Sequence, residues 1–390
     1  MKLQIHELKN LITKKMSKNL KTITLIAIVI LAVSCKKDKN VNPTIAVQEL
    51  QVSQGDNHSM LILPDGRLFG VGLNSAGQLG FSTPELAQNF RFSVNNIKTV
   101  AAGGFHTLII DKDNKLFVMG RNDKGQLGDN TTDLKKTPTF IMDNVKAVDA
   151  NTFHSFALKS DGTLWATGWN TSAQLGTGSD VSIIQFSQVL SNVKAISAGA
   201  EHTLVIKNDN TLWAVGSNGF GQLGTGTTDQ ELSFVQVTTD VKAISAGSYH
   251  SLIMKNDNSV WACGRNQFGE FGKGVYSTTN TVYEKIMDDV KSFDAGNGNS
   301  FLIKNNDSLY VAGYNASGQL GVGDERPRRS FVGLKDSVKT VISSGSANSA
   351  STFMITLSNK LMATGLSTSY KLGTGTTTAT NNFTTITLPN

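Results

Sequence analysis

Cysteine and proline are almost missing from this 390-residue chain, which has only Cys35, Cys263 and six prolines. Two thiols cannot form the framework of bridges that holds small secreted domains together, so the fold must rest on its own core. Long apolar runs are missing too. The longest, residues 23–33, has eleven apolar-rich residues, well short of the roughly 20 needed to span a bilayer as a helix. No stretch carries the spaced acids and closing Glu of a calcium loop, so no metal is expected. An excess of basic charge is missing where it would matter. The formal charge is +6, but residues 1–40 hold nine of the 36 basic residues and two of the 30 acidic ones. The remainder, with 27 basic and 28 acidic residues, is close to neutral. Phosphate backbones are bound by clustered Lys and Arg, so no nucleic-acid partner is expected.

What the chain has instead is glycine, 37 of them, and repetition. The string G-x-N-x-x-G-Q-L-G begins at Gly72, Gly120, Gly216 and Gly313, with near-copies at Gly168, Gly264 and Gly365. The steps between starts are 48, 48, 48, 48, 49 and 52 residues. Seven copies at so even a step mean one structural unit repeated, which replaces any domain count based on length. The fourth copy shows the unit. Residues 193–198 alternate apolar and polar, Gly199-Ala200-Glu201-His202 bends, and 203–207 form a second strand. Asn208-Asp209-Asn210 then makes a hairpin turn into 211–215, which ends at Gly216. A polar loop follows and leads to a weaker apolar segment such as 234–237. Three or four short strands repeated seven times predict an all-β, seven-bladed β-propeller. The array begins mid-unit at 47–53 and ends on an outer-strand segment, 383–388, so the two ends are expected to meet.

The units resemble the regulator-of-chromosome-condensation (RCC1) repeat: a V-x-x-I-x-x-G-x-x-H-T stretch, a D-G turn, an aromatic strand ending in Gly, then N-x-x-G-Q-L-G. The resemblance runs from residue 47 to the C-terminus and implies a propeller of seven RCC1-like repeats of about 48 residues. It does not carry an activity with it, because function lives in sites placed on a fold.

The first residues resemble a bacterial lipoprotein signal. Lys18 and Lys21 precede the apolar run, and Ala32-Val33-Ser34-Cys35 closes it with small residues. The expected organisation is a signal peptide over 1–35 (with Met16 as an alternative start), a polar tether over 36–44 and the propeller over 45–390. The resemblance implies lipidation at Cys35, hence anchoring to a membrane of the bacterial cell envelope, at the outer membrane or on the periplasmic side.

Five histidines fall on the period: His58, His106, His154, His202 and His250. Asn299 and Asn348 are expected at the same place in units six and seven. Since Asn is no general base and a poor zinc ligand, the ring of imidazoles predicts a structural lock, on its own hairpin or on the neighbouring blade, and not a catalytic or metal centre. Trp165, Trp213 and Trp261 share one position with Phe69, Phe117, Tyr310 and Met362, an interchange that predicts core. Specificity is expected where the repeat leaves a letter free. One such letter is the x of G-x-N, which holds Arg121, Trp169, Arg265 and Tyr314. The other lies just before each His, at Phe105, Phe153, Glu201 and Tyr249. These eight are the candidate binding residues, of types that anchor interfaces.

The functional expectation is a monomeric, cofactor-free, non-enzymatic module that binds a protein or glycan outside the cytoplasm. An envelope enzyme acting on a glycan is the alternative. It would need a converging carboxylate pair, and no acid stands out from the turns. Nucleotide exchange on a small GTPase, implied by family analogy, is a more distant alternative, because no insertion between units exceeds four residues.

Overall fold

The computed structural model describes residues 49–344 and 350–390. The signal segment, the tether, Cys35 and Asn348 lie outside them. The described chain forms seven antiparallel four-stranded sheets. Each blade consists of consecutive strands, the first being Gln51–Gln54, His58–Ile62, Leu68–Leu73 and Leu86–Val94. Blades 1 to 7 occupy residues 51–94, 97–142, 145–190, 193–238, 241–287, 290–335 and 338–385. The innermost strands of all seven line one lumen of about 220 Å³.

The expectation of a mid-unit start is corrected here. Gln51–Gln54 is the innermost strand of a complete first blade, and Thr380–Thr385 is the outermost strand of a complete seventh. No sheet mixes strands from the two ends. Closure comes instead from packing and side-chain bonds. The buried apolar residues fall into seven clusters, each shared by two adjacent blades. The one across the seam joins Leu61 and Phe69 of blade 1 to Phe353 and Leu372 of blade 7.

The repeated string builds these joints. Its first glycine has a positive φ (104° at Gly72), and a Cβ there would lie 2.5 Å from the Asn57 carbonyl oxygen, so only glycine fits. The Asn side chain folds the loop on itself: Asn122 Oδ1 accepts the Leu127 N–H at 2.9 Å, and blades 1 to 6 all repeat this bond. The Gln Oε1 accepts an N–H two residues earlier, as Gln126 does from Lys124. The Leu is fully buried in each copy, and Phe271 takes its place in blade 5. The closing glycine abuts the outer strand of the next blade: Gly128 against Phe186, Gly176 against Phe234 and, across the seam, Gly373 against Phe90.

The histidines are the second part of each joint, and they reach the neighbouring blade. Thr107 Oγ1 donates to the Gln78 carbonyl at 2.8 Å and lies 2.9 Å from His58 Nε2. The hydroxyl has one proton and it is spent on the carbonyl, so His58 Nε2 carries the hydrogen and donates. His106–Ser155 and His202–Ser251 repeat the relay, and His250–Ser300 keeps its imidazole–hydroxyl contact. At His154 the hydroxyl half of the relay remains, with Thr203 donating to the Gln174 carbonyl at 2.8 Å, while the ring, set edge-on to Phe156 at 5.7 Å, makes no bond through Nε2. Burial lowers the imidazoles to about 3 for His58, His106, His202 and His250 and to about 4 for His154, so all five are neutral at pH 7. In blade 6 Asn299 faces Gly313 as each His faces its glycine. In blade 7 that register belongs to Ser351, opposite Gly365, and not to Asn348. The link between the first two strands is four residues longer in blade 7 than in blade 6, as the longer final step of the repeat requires.

Candidate functional site

An antiparallel blade places its first and third loops at one end and its middle hairpin at the other. The two free letters of the repeat sit on those first and third loops, so both face the same end of the propeller. A backbone bond fixes them side by side. The N–H of the x residue donates to the carbonyl of the residue before the histidine: Arg121 to Phe105, Trp169 to Phe153, Ser217 to Glu201, Arg265 to Tyr249 and Tyr314 to Gly298. Two sequence sets read separately are thus one set of pairs.

The pairs join into an arc across blades 2 to 6. Arg121 lies over the rings of Phe105 (5.6 Å) and Phe153 (5.4 Å), and Phe153 packs against Trp169 at 5.2 Å. Further round, Arg265 lies 4.4 Å from the Tyr249 centroid and 5.2 Å from that of Phe268, which packs against Tyr314 at 4.7 Å. Seven of the eight candidate residues are half-buried, and Glu201, between the two groups, is exposed. All eight sequence candidates therefore come together on one surface.

Three further members were missed. Phe220 packs on Tyr249 at 5.5 Å, Phe268 bridges Arg265 and Tyr314, and Lys124 holds its ammonium 5.8 Å from the Trp169 centroid. All three occupy the residue before the second glycine of the string, where other units have Ala76, Ser172, Ser317 and Ser369. The signal was a third free letter inside N-x-x-G. Each of these side chains contacts a ring in the following blade, which makes separate pairs a continuous surface.

The charges on the arc are mostly fixed. Arg121 Nη2 donates to Asp123 at 2.9 Å. Arg265 pairs at 3.2 Å with Glu270, whose side chain is wholly buried. Glu270 stands where other units have Gln and keeps that residue's bond to the N–H two positions earlier, at Phe268. Burial pushes its carboxyl up to about 7, against the opposing pull of those N–H groups and of Arg265. The exchange of Gln for Glu thus supplies a partner that holds Arg265 among three aromatic rings.

The three strand tryptophans and the two lumen aspartates are structural. Trp165, Trp213 and Trp261 pack into the clusters between blades, and their Nε1–H groups donate to Thr163, Thr211 and Ser259. In the lumen, Asp149 accepts the Ala198 N–H at 2.8 Å and Asp294 accepts the Ser343 N–H at 2.6 Å. Ser53, Ser197 and Ser245 make the same bond to the next blade. Burial raises both carboxyls to about 6. Cys263, also buried, donates to the Gln222 carbonyl at 3.3 Å.

Two sequence models of the regulator of chromosome condensation (RCC1) repeat match the chain. One fits residues 50–78, 97–126, 145–174, 193–222 and 241–270, the other 65–110, 113–158, 161–206 and 209–254. Together they cover 50–270, more than half of the chain. No curated protein sequence matches. Among solved structures, yeast RCC1 (Prp20) bound to Kap60 is similar at TM-score 0.74 and 21% identity, covering 88% of this chain and 84% of that one. Prp20p from Saccharomyces cerevisiae, described with its binding properties to Gsp1p and histones, gives 0.74 and 22%, with 88% and 87% covered. Human WBSCR16 gives 0.67 and 20%, with 75% and 84% covered. At these identities the likeness is one of fold. With the repeat models matching residues 50–270 at the period of the blades, the chain belongs to the RCC1-repeat family.

Proposed function

We propose that the protein is a non-enzymatic binding module, anchored by lipid at Cys35 outside the cytoplasm, which holds a protein partner against the arc on blades 2 to 6. The observation that carries this is the arc itself: Phe105, Arg121, Phe153, Trp169, Tyr249, Arg265 and Tyr314 gathered on one end of a scaffold whose other letters are fixed by its joints. Large aromatics and arginines held in place before binding lose little freedom when a partner docks, which is why such residues dominate interface energies. Anchoring rests on residues 18–35 and on the acylation that such a signal directs; two or more acyl chains would make it firm. Catalysis by the lumen carboxylates is disfavoured, because Asp149 and Asp294 are both engaged with N–H groups of the next blade.

The test is capture of partners from envelope extract by the full chain and by a Phe153→Ala, Trp169→Ala, Tyr249→Ala variant. The variant should keep its melting temperature within a few degrees and lose the captured protein. Equal capture by both would overturn the arc, and turnover of a glycan panel by the wild type would favour the enzyme. Replacing Cys35 with Ser should release the protein from the membrane fraction; retention there would refute the anchor.

A further inference from the structure

The arc has a gap at Glu201, and the gap has walls. Between the two aromatic groups lies a cleft of about 160 Å³ lined by Phe153, Trp169, Tyr249, Glu201 and Gln174, among others. Three of these present aromatic rings, and the Phe153 and Trp169 planes are inclined at 56° to one another rather than parallel. Glu201 is exposed, and its carboxylate makes no ion pair and no hydrogen bond with any described residue. The nearby positive groups do not fill this role. Arg121 is paired with Asp123, Arg265 with Glu270, and Lys124, although near the Trp169 ring, is not among the residues that line the cleft. The only formal charge inside the walls is therefore negative.

Ring faces carry negative electrostatic potential and attract cations. The attraction grows when the cation is partly desolvated and when a carboxylate neutralises it. An acidic peptide would meet Glu201 as a like charge. A wholly apolar side chain would satisfy the rings but leave the carboxylate facing it. A flat guanidinium fits best on parallel planes, whereas inclined rings suit a compact ammonium at the end of an apolar stem. On these grounds we infer that the cleft between blades 3 and 5 receives a lysine side chain of the partner protein, its methylenes against Trp169 and Tyr249 and its ammonium beside Glu201. This rests on the arc being the docking surface and specifies what the partner presents at its centre.

The test uses the full chain carrying 5-fluorotryptophan, which gives one fluorine signal for each of the four tryptophans, with that of Trp169 assigned through Trp169→Phe. Nα-acetyl-lysine amide should move the Trp169 signal alone and saturate in the millimolar range. Its uncharged isostere Nα-acetyl-norleucine amide should bind about tenfold more weakly, the share of a cation–π contact reinforced by a carboxylate. Glu201→Gln, at an exposed position without partners, should remove most of that difference, and added salt should narrow it. Equal binding of the two amides, no effect of Glu201→Gln, or tighter binding of Nα-acetyl-arginine amide would overturn the assignment. Partner capture separates this from the broader reading. A partner lost with Trp169→Ala but kept unchanged with Glu201→Gln leaves the arc standing without the lysine, whereas a partner indifferent to Trp169→Ala removes the arc as well.

Discussion

Blades 2 to 6 and the pair formed by blades 7 and 1 share one frame and differ in what occupies their free letters. On the first group those letters are Arg121, Trp169, Arg265 and Tyr314 with Phe105, Phe153 and Tyr249 beside them. On the second they are Asn57, Leu73, Ala350 and Leu366. The joints show the opposite bias. Those leaving blades 2 to 4 keep the Asn and Gln of the string, whereas the seam replaces them with Ser367 and Lys371. The Lys371 ammonium, buried and lowered to about 8, donates to the Asp56 carbonyl of blade 1 at 3.0 Å. On the side of the ring that specialises its surface the joints stay ordinary except for Glu270 and Phe271 of blade 5, and the side that specialises its joint leaves its surface plain. Recognition and closure are thus kept at separate places, so changes to one need not disturb the other.

The largest effect expected from this division is on pH stability, because buried imidazoles serve the joints of blades 1 to 5 but not those of blades 6 and 7. A folded-state pKa below the unfolded 6.5 means the unfolded chain binds protons first, so stability falls as pH drops from about 6.5 toward 3. Asp149, Asp294 and Glu270 are raised and act the other way, since protonating them between about 7 and 4 favours the folded form. Five imidazoles against three carboxyls leave a net loss of up to about 3 kcal/mol per pH unit near pH 5. Melting followed from pH 7 to pH 4 should show it, and His202→Asn, the residue blade 6 already uses, should flatten the curve. A melting temperature constant over that range would contradict buried neutral imidazoles.

Next in size is the seam. Lys371→Met removes a buried donor to the Asp56 carbonyl and a positive charge that the Asp56 charge favours, at a cost of about 3 kcal/mol. Denaturant melts should record that loss while partner capture at low temperature stays unchanged. A variant that instead loses capture with its stability intact would place recognition at the seam. On the arc the signs reverse. Tyr314→Ala, which removes a ring and no charge, should cost about 2 kcal/mol of binding, roughly thirtyfold, with little change in melting. If its stability fell as far as that of the seam variant, Tyr314 would belong to the frame. Smallest of all, Leu366→Ala on the plain side should alter capture less than threefold and stability by less than about 1 kcal/mol. A larger loss of capture would extend the arc across the seam.

The period made the blades legible, because a backbone unit repeated seven times leaves its turn chemistry at fixed offsets. The free letters were legible as well, since Trp169 or Arg265 stands out against a constant background. That the two sets are neighbours was not, because the bond from Trp169 N–H to the Phe153 carbonyl joins loops that the sequence separates by a hairpin. Phe220 and Phe268 were passed over inside a motif taken to be constant. Lys371 reads in the sequence as decay of the repeat. Its partner is 315 residues away, and no local pattern announces a contact between opposite ends of a chain.

Because every blade is one uninterrupted run of strands, copying a single stretch of about 48 residues in frame adds a whole sheet without splitting any other. Strand Val193–Ala198 of blade 4 and strand Val241–Ala246 of blade 5 have the same sequence, VKAISA. A molecule that can lengthen by whole sheets inherits a spare surface letter with each copy, and can rewrite it before any joint has to change.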